Sequence, residues 1–210
     1  MRITKYGHAC VRLEKAGQAI VIDPGVMTPE PGAVEGVAAV LVTHEHFDHF
    51  DPDRLRELGE GVDVYTCAGV ARHLGAFGER VRVVGDGDEF SVAGFDVSVR
   101  GEKHHLSHPD VPPVDNVGFL VDGEVFHPGD ALTEAEAPTL LLPGQAPWLT
   151  TPAMIGYLRL MAPRRTYAVH DGLVNEWGLK VLDGVLAMEA ERAGTEMRRL
   201  RVGESVDIEV

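Results

Sequence analysis

Short apolar runs alternate with helix-like segments along the chain. The runs QAIVID (18–23), AAVLVTH (38–44) and TYAVHD (166–171) are apolar and rich in β-branched residues, and each ends in polar residues. Such runs predict buried strands that deliver functional side chains at their C-terminal ends. Residues 116–130, NVGFLVDGEVFHPGD, predict a hairpin, because an Asp-Gly pair suited to a tight turn joins two apolar halves.

Helical patterns lie between these strands. Asp51 is followed by Pro and DRLREL, which fits an N-cap, Pro at the first helical position and then a helix. Thr151 begins TPAMIGYLRLMA in the same way, and residues 177–194 have helical spacing and end at a Gly. The last segment, 198–210, predicts strand, turn and strand. The elements together predict an α/β or α+β chain with layered sheets and outer helices.

Composition narrows the possible functions. The 210 residues suit a single domain, 1–210. No apolar run approaches the ~20 residues that span a bilayer, and no stretch resembles a signal peptide, so we expect a cytoplasmic protein without membrane contact. The net charge is 19 − 33 = −14, which disfavours nucleic acid as a partner. Cys10 and Cys67 are far apart and predict two buried thiols in a reducing compartment rather than a disulfide.

The stretch THEHFDHFD (43–51) holds three histidines and two aspartates in nine residues. His44 and His46 are two apart at a strand end, which places both imidazoles on one side. The chain must then turn, so Asp48 and His49 approach from another direction. Imidazole and carboxylate groups suit Zn, Fe, Mn or Ni, and the loop therefore predicts metal binding.

The spacing within this loop does not fit competing motifs. A zinc-protease motif, His-Glu-x-x-His, would need its second histidine where the chain has Asp48. The chain has no Gly-x-Ser-x-Gly elbow, phosphate loop or dinucleotide glycine motif. A solvated histidine cluster would not follow an apolar strand, and Phe47 and Phe50 are expected to fix the loop to the core.

Further histidines and aspartates lie in GEKHHLSH (101–108), FHPGD (126–130) and AVHD (168–171). The motif His-x-His-x-Asp-His at 44–49, a later His, the Asp of HPGD and a final strand-end His together resemble the metallo-β-lactamase superfamily. The resemblance covers roughly residues 1–175. It implies a four-layer αββα sandwich, with two β-sheets face to face, helices outside and the site at one edge.

The resemblance also implies two divalent metal ions, with Zn expected and Mn, Ni or Fe as alternatives. The implied ligands are His44, His46 and His104 for the first ion, Asp48, His49 and His170 for the second, and Asp130 as the bridge. His104 is chosen over His105 and His108 because the family places this ligand directly after a strand. In an extended chain His105 would point to the opposite side.

The implied activity is metal-dependent hydrolysis of a small-molecule substrate. Asp48 is expected to accept a proton, and His108 is expected to donate one to the leaving group. His8 in YGHAC and Trp148 in the loop after TLLLPG are expected to border the substrate pocket. Asp23 in VIDPG matches a family position that supports the ligand loop through hydrogen bonds.

The substrate prediction is a small ester or lactone, or a phosphorylated metabolite. It rests on YGHAC and NVGFLVDGEVFHPGD, which resemble the branch of L-ascorbate-6-phosphate lactonase and related metal-dependent hydrolases. Two alternatives stay open: a phosphodiesterase, because paired metals suit displacement at phosphorus, and a non-hydrolytic iron-binding relative. The sequence does not define an oligomeric state.

Overall fold

The computed structural model describes residues 1–209, which form two seven-stranded sheets. The first sheet has the order β14-β1-β2-β3-β4-β5-β6, with strands Arg2–Lys5 (β1), Val11–Lys15 (β2), Gln18–Ile22 (β3), Ala39–Val42 (β4), Asp63–Thr66 (β5), Val81–Val83 (β6) and Ser205–Asp207 (β14). The second has the order β13-β12-β11-β10-β9-β8-β7, with strands Glu89–Val92 (β7), Phe95–Arg100 (β8), Gly118–Val121 (β9), Val125–His127 (β10), Thr139–Pro143 (β11), Arg165–Val169 (β12) and Glu196–Arg199 (β13).

Four α-helices and two 3-10 turns cover the outer faces. The helices are Pro52–Arg56 (α1), Ala68–Ala71 (α2), Thr151–Met161 (α3) and Glu176–Ala193 (α4), and the 3-10 turns are Pro31–Val34 and Gly75–Arg80. No helix within residues 1–209 is both long enough and apolar enough to cross a bilayer.

Strand β11 shows how the layers are held together. Its successive side chains point to opposite faces, as in any strand. Leu141 packs into the apolar core between the two sheets, whereas Leu140 and Leu142 pack into a second core under helices α3 and α4. Leu55 and Val70, from helices α1 and α2, are buried in the same apolar cluster as the strands of the first sheet. The predicted αββα sandwich is therefore confirmed.

Local sequence signals correctly predict the start of helix α1 and the β9–β10 hairpin, and they place the start of α3 to within one residue. The Asp51 side chain accepts hydrogen bonds from the backbone N–H groups of Asp53 (3.0 Å) and Arg54 (3.2 Å), so it caps α1 as predicted. The cap of α3 is Thr150, one residue earlier than the sequence indicates. Strands β9 and β10 form the predicted hairpin, and both turn residues, Asp122 and Gly123, have positive φ.

The C-terminal segment contains the predicted strand, turn and strand, but its two strands do not pair with each other. Strand β13 runs parallel to β12 in the second sheet, with Met197 opposite Thr166. Strand β14 instead pairs antiparallel with β1 in the first sheet, with Asp207 opposite Arg2. The two strands therefore belong to different sheets, and the segment passes from one layer to the other. Val210, the last residue of that prediction, lies outside the described residues.

Candidate metal centre

The histidine loop begins where two parallel strands end side by side. Strands β3 and β4 are adjacent and parallel, with Ile22 opposite Leu41. Their C-terminal ends therefore reach the same edge of the sheet, which places Asp23 beside Thr43 and His44. Both Asp23 and His44 are fully buried, so their polar atoms need partners within the protein.

Asp23 is the hydrogen-bond acceptor that organises this loop. Its Oδ1 accepts from the Thr43 backbone N–H (2.7 Å), and its Oδ2 accepts from the Thr43 hydroxyl (2.7 Å) and from His49 Nδ1 (2.6 Å). The Thr43 oxygen in turn lies 3.0 Å from His44 Nδ1. Because that hydroxyl donates to Asp23, it accepts from His44 Nδ1–H. The supporting role predicted for Asp23 agrees with these contacts.

The end of β12 presents His170 to the same edge. Its backbone has φ +57°, an uncommon conformation for a residue other than glycine. The backbone N–H of His170 donates to the His8 carbonyl (2.7 Å). The Nδ1–H of the His170 ring donates to the Gln145 carbonyl (2.5 Å). These two bonds fix both the bend and the ring orientation.

The loop after β10 carries Asp130 and is fastened by Asn116. The Asn116 side chain donates to the Pro128 carbonyl (2.9 Å) and accepts from the Asp130 backbone N–H (3.0 Å). Gly129 has φ +64°, and a Cβ there would overlap Asn116 Oδ1, so the close approach requires glycine. The sequence does not single out Asn116, because one buried amide has no motif.

The histidines and aspartates at this edge form two clusters, in each of which the possible ligand atoms lie within 4.8 Å of one another; all are buried except His46, which is half-buried. The first cluster is His44, His46, His104 and Asp130, and the second cluster is His8, Asp48, His49 and His170. All seven residues expected as metal ligands therefore come together, in the two groups that the family resemblance implies. His8 is an additional member.

The outer hydrogen bonds determine which ring nitrogens can bind a cation. In the neutral rings of His44, His49, His104 and His170, Nδ1 faces an oxygen acceptor, so the proton sits on Nδ1 and Nε2 carries the lone pair. His44 Nε2 lies 3.1 Å from His46 Nδ1. In three of these, His49, His104 and His170, Nε2 is buried without a hydrogen-bond partner among the described residues. Buried polar atoms of this kind need an explanation, and divalent cations at the centre of the clusters provide one. The side chains fit the implied metals.

His8 differs from the other histidines in its tautomer. Its Nδ1 accepts a hydrogen bond from the Gly172 backbone N–H (2.8 Å), so in the neutral ring Nε2 carries the proton. That nitrogen lies 3.2 Å from Asp48 Oδ2. His8 is therefore placed to donate towards Asp48 rather than to bind a cation. His8 is buried and, unlike Asp48, does not line the adjoining cavity, so the structure does not place it at the border of the pocket as the sequence predicts.

Asp130 lies between the two clusters. Its Oδ1 is 3.2 Å from His49 Nε2, and its Oδ2 is 3.4 Å from His104 Nε2 and 3.1 Å from His170 Nε2. Burial opposes ionisation of Asp130, but the charge of His49 and the close approach of His104 and His170 outweigh it, so the pKa of Asp130 lies well below the usual range. A carboxylate that faces both clusters is what a bridging ligand requires.

Neighbouring carboxylates also act on the histidines. Burial disfavours protonation of His170, but Asp130 and Asp48 more than offset it and raise its pKa to about 9. The pKa of His49 also lies well above its ordinary value, because the charges of Asp130 and Asp23 outweigh the effect of burial. Protons and cations therefore compete for the same nitrogens, and metal binding would release protons.

A cavity of about 290 Å³ opens beside both clusters. Members of both clusters line it, and its other walls are Phe47, Ser107, Pro147, Trp148 and Leu173. The Trp148 indole N–H donates to Asp130 Oδ2 (2.9 Å), which fixes the ring as one wall. Trp148 therefore lies at the pocket as the sequence predicts, and it also contacts the candidate bridging ligand.

Two expectations about this region are not supported by the geometry. His108 is exposed, does not line the cavity, and accepts a hydrogen bond from the Asp110 backbone N–H (3.1 Å), so it is not positioned to protonate a leaving group there. Phe50 is buried as expected, but Phe47 is 60% exposed. Between the two ligand pairs of the loop, the chain turns Phe47 outward into the cavity wall.

Fold and site together define the class of protein. The profile of the Beta-lactamase superfamily domain matches residues 2–162. The chain is 33% identical to "Protein Rv0786c" of Mycobacterium tuberculosis over 184 residues, which covers 83% of this chain and 85% of that protein. The chain belongs to the β-lactamase superfamily, as the histidine loop predicts.

More distant relatives share the fold or carry the name of a metal-dependent hydrolase. A "UPF0173 metal-dependent hydrolase" of Aeropyrum pernix is 29% identical over 147 residues, which is 61% of each chain. The structure of Igni18, a metallo hydrolase from Ignicoccus hospitalis, superposes with a TM-score of 0.74 at 20% identity and covers 100% of this chain and 98% of that one. Identity this low shows the fold alone. The prediction of a metal-dependent hydrolase is confirmed at the level of the superfamily.

Proposed function

We propose that this protein is a dinuclear metal-dependent hydrolase of small-molecule esters or lactones, with residues 1–210 acting as one domain. The observation that carries the proposal is the pair of buried His/Asp clusters that meet at Asp130 beside a cavity. A structural zinc site closes four ligands around one ion and leaves no open position. Two clusters that open onto a cavity are suited to catalysis instead.

In this proposal His44, His46 and His104 hold one ion, Asp48, His49 and His170 hold the other, and Asp130 serves both. Divalent ions bound there, with Zn as the first choice and Mn, Ni or Fe as alternatives, would supply a nucleophilic water at neutral pH and polarise the bond under attack. No serine or cysteine nucleophile is then required.

The protein's own side chains would orient the site and accept the proton. Asp48 Oδ2 faces His8 Nε2 (3.2 Å) and His170 Nε2 (3.4 Å). Its other oxygen, Oδ1, is therefore the atom that we assign as proton acceptor, since Asp48 also lines the cavity. His8 would hold the Asp48 carboxylate in place through its fixed Nε2–H. His108 has no part in this proposal because it lies outside the cavity.

The branch of L-ascorbate-6-phosphate lactonase remains the basis for expecting a lactone. Hydrolysis of a small phosphodiester is the second candidate, favoured by the paired clusters, because two metals suit displacement at phosphorus. Cys10 and Cys67 are buried and free, which agrees with the proposed location in the reducing cytoplasm.

The test combines metal analysis with hydrolysis assays. The protein is stripped with a chelator, reloaded separately with Zn, Mn, Ni or Fe, and assayed against lactones, esters and phosphodiesters while bound metal is measured. Activity should disappear on stripping and return with a divalent ion. Less than about 0.5 equivalents per chain after reloading, with no activation by any ion, would refute the proposal.

A matched pair of variants tests whether metal binding and activity depend on the assigned ligands. His46→Ala should lose metal and activity, whereas His73→Ala should keep both, because His73 is exposed and reaches the ligand loop only through Glu45 Oε2 (3.4 Å). Equal behaviour of the two variants would argue against the assigned site.

A further inference from the structure

The cavity beside the clusters has exposed apolar walls. Phe47 is 60% exposed and Leu173 is 45% exposed, and both line this one cavity with Trp148 and Pro147. Single exposed apolar residues are ordinary, but several around one concave site indicate a surface that binds an apolar group. Because Phe47 lies between the candidate ligands His46 and Asp48, this apolar wall directly adjoins the proposed reaction centre.

The walls are also rigid on one side. The Trp148 ring is held by its N–H bond to Asp130, and its centroid lies 5.6 Å from that of His104 and 5.0 Å from that of His105. A fixed aromatic wall contributes contact area with little loss of conformational entropy on binding. The volume of about 290 Å³ lies at the lower end for small-molecule pockets, so the group that fits is compact.

Away from the proposed metal ions and their ligands, the cavity wall offers no cationic partner for an anionic substituent. No Lys or Arg is among the described residues that line it. Proteins bind phosphate and carboxylate groups through such cations or through arrays of N–H donors. Lys103, close in sequence to His104, is exposed, paired with Asp115 at 2.6 Å, and lines a different depression. The net charge of −14 further disfavours an anionic substrate.

We propose that the substrate of this hydrolase is an uncharged ester or lactone with a compact apolar substituent, which packs between Phe47, Trp148 and Leu173. The inference rests on the hydrolase function proposed above and selects among its substrates. It places a phosphorylated sugar acid outside the preferred class, because the wall away from the metal ligands has no Lys or Arg to pair with the phosphate.

The first experiment measures specificity on the metal-loaded protein. γ-Lactones with no substituent, with methyl, ethyl and butyl substituents, and with a carboxymethyl or phosphomethyl substituent are compared by kcat/KM. Each of the first added carbons should raise kcat/KM by about tenfold until the cavity is filled, and both anionic lactones should be at least tenfold poorer than the butyl lactone. Equal or better turnover of an anionic lactone would overturn this inference while leaving the hydrolase function standing.

A binding measurement separates this inference from the hydrolase function. Calorimetry with the non-hydrolysable γ-lactams 5-butyl- and 5-carboxymethyl-pyrrolidinone reports on the cavity even if no lactone is turned over. The butyl lactam should bind at least tenfold more tightly, on the metal-free as well as the metal-loaded protein. Equal affinity, or tighter binding of the carboxymethyl lactam, would overturn the inference whatever the activity.

Variants of the exposed wall complete the test. Leu173→Ser should reduce the preference for butyl over unsubstituted lactone about tenfold without loss of metal, and Leu173→Arg should raise kcat/KM for the anionic lactones. Val83→Ser removes a side chain of similar exposure (58%) on β6, outside the cavity, and should change neither ratio. An unchanged preference in both Leu173 variants would place the apolar group elsewhere and overturn the inference.

Discussion

Asp23 receives three hydrogen bonds from the loop that carries four of the candidate ligands, and Asp23→Asn tests what they do. Asparagine has the same shape and tolerates the positive φ of +52° at this position. Its remaining oxygen can still accept from the Thr43 backbone N–H. Its NH₂ group replaces Oδ2 and then faces two donors, the Thr43 hydroxyl and His49 Nδ1–H.

The magnitude follows from those two contacts. Each buried donor that loses its acceptor costs about 1–3 kcal/mol, so the free energy of unfolding should fall by about 2–6 kcal/mol if neither is repaired. A chain of this length loses roughly 2–4 °C of Tm per kcal/mol, which predicts a drop of at least about 4 °C in the metal-free protein.

The two donors that lose Asp23 Oδ2 can find new partners, but only through changes that would weaken metal binding. The Thr43 hydroxyl can turn to donate to His44 Nδ1, and His49 Nδ1 can accept from the new NH₂ group. Both changes move the ring proton to Nε2, the nitrogen proposed to bind metal. Metal affinity should therefore fall about 10- to 100-fold, as is usual when the hydrogen-bond partner of a ligand is lost.

The assay is calorimetry of the metal-free protein together with metal titration in competition with a chelator. Asp51→Asn is the matched control: it makes the same replacement in the same loop, and asparagine caps a helix as well as aspartate does. It should keep both Tm and metal affinity. Unchanged metal affinity in Asp23→Asn would refute the proposed role of the ring tautomers.

Three further predictions concern other contacts. Trp148→Phe keeps an aromatic wall but removes the N–H that donates to Asp130, so metal affinity in chelator competition should fall about tenfold, and an unchanged value would contradict the assignment. Lys5 is almost fully buried, and its Nζ lies 2.6 Å from Asp171 Oδ1. Lys5→Met should lower the free energy of unfolding, measured in urea, by about 3 kcal/mol, the lower end for a broken buried ion pair, because Arg199 also faces Asp171. A loss of less than about 1 kcal/mol would contradict this prediction. Burial raises the pKa of the Cys10 thiol to about 12, so a thiol reagent at pH 8 should label it only after unfolding, and rapid labelling of the native protein would show the burial to be wrong.

The layered fold could be predicted because its signals are local. Apolar runs, an Asp-Gly turn and capping residues each act within a few positions. Strands β13 and β14 have no such signal for their partners. They pair with Arg165–Val169 and with Arg2–Lys5, and the second of these pairings joins opposite ends of the sequence. A local pattern therefore predicts two strands but not the change of sheet between them.

The candidate site shows the same limit. Residue type and spacing indicate a metal-binding loop at 44–49, whereas the full set of seven ligands came from the family resemblance. Phe47 and Phe50 are alike in sequence context, yet one lines the cavity and the other is buried, since the turn between them decides which way each points. The tautomer of His8 depends on a hydrogen bond from Gly172, 164 residues away in sequence. Both facts depend on tertiary structure.

Anomalous scattering from crystals of the reloaded protein tests the central claim most directly. Data collected at the absorption edge of the added metal should show two separate peaks in each chain. One should lie against His44, His46 and His104 and the other against Asp48, His49 and His170, with Asp130 in contact with both. A single peak, or peaks away from these side chains, would contradict the dinuclear site.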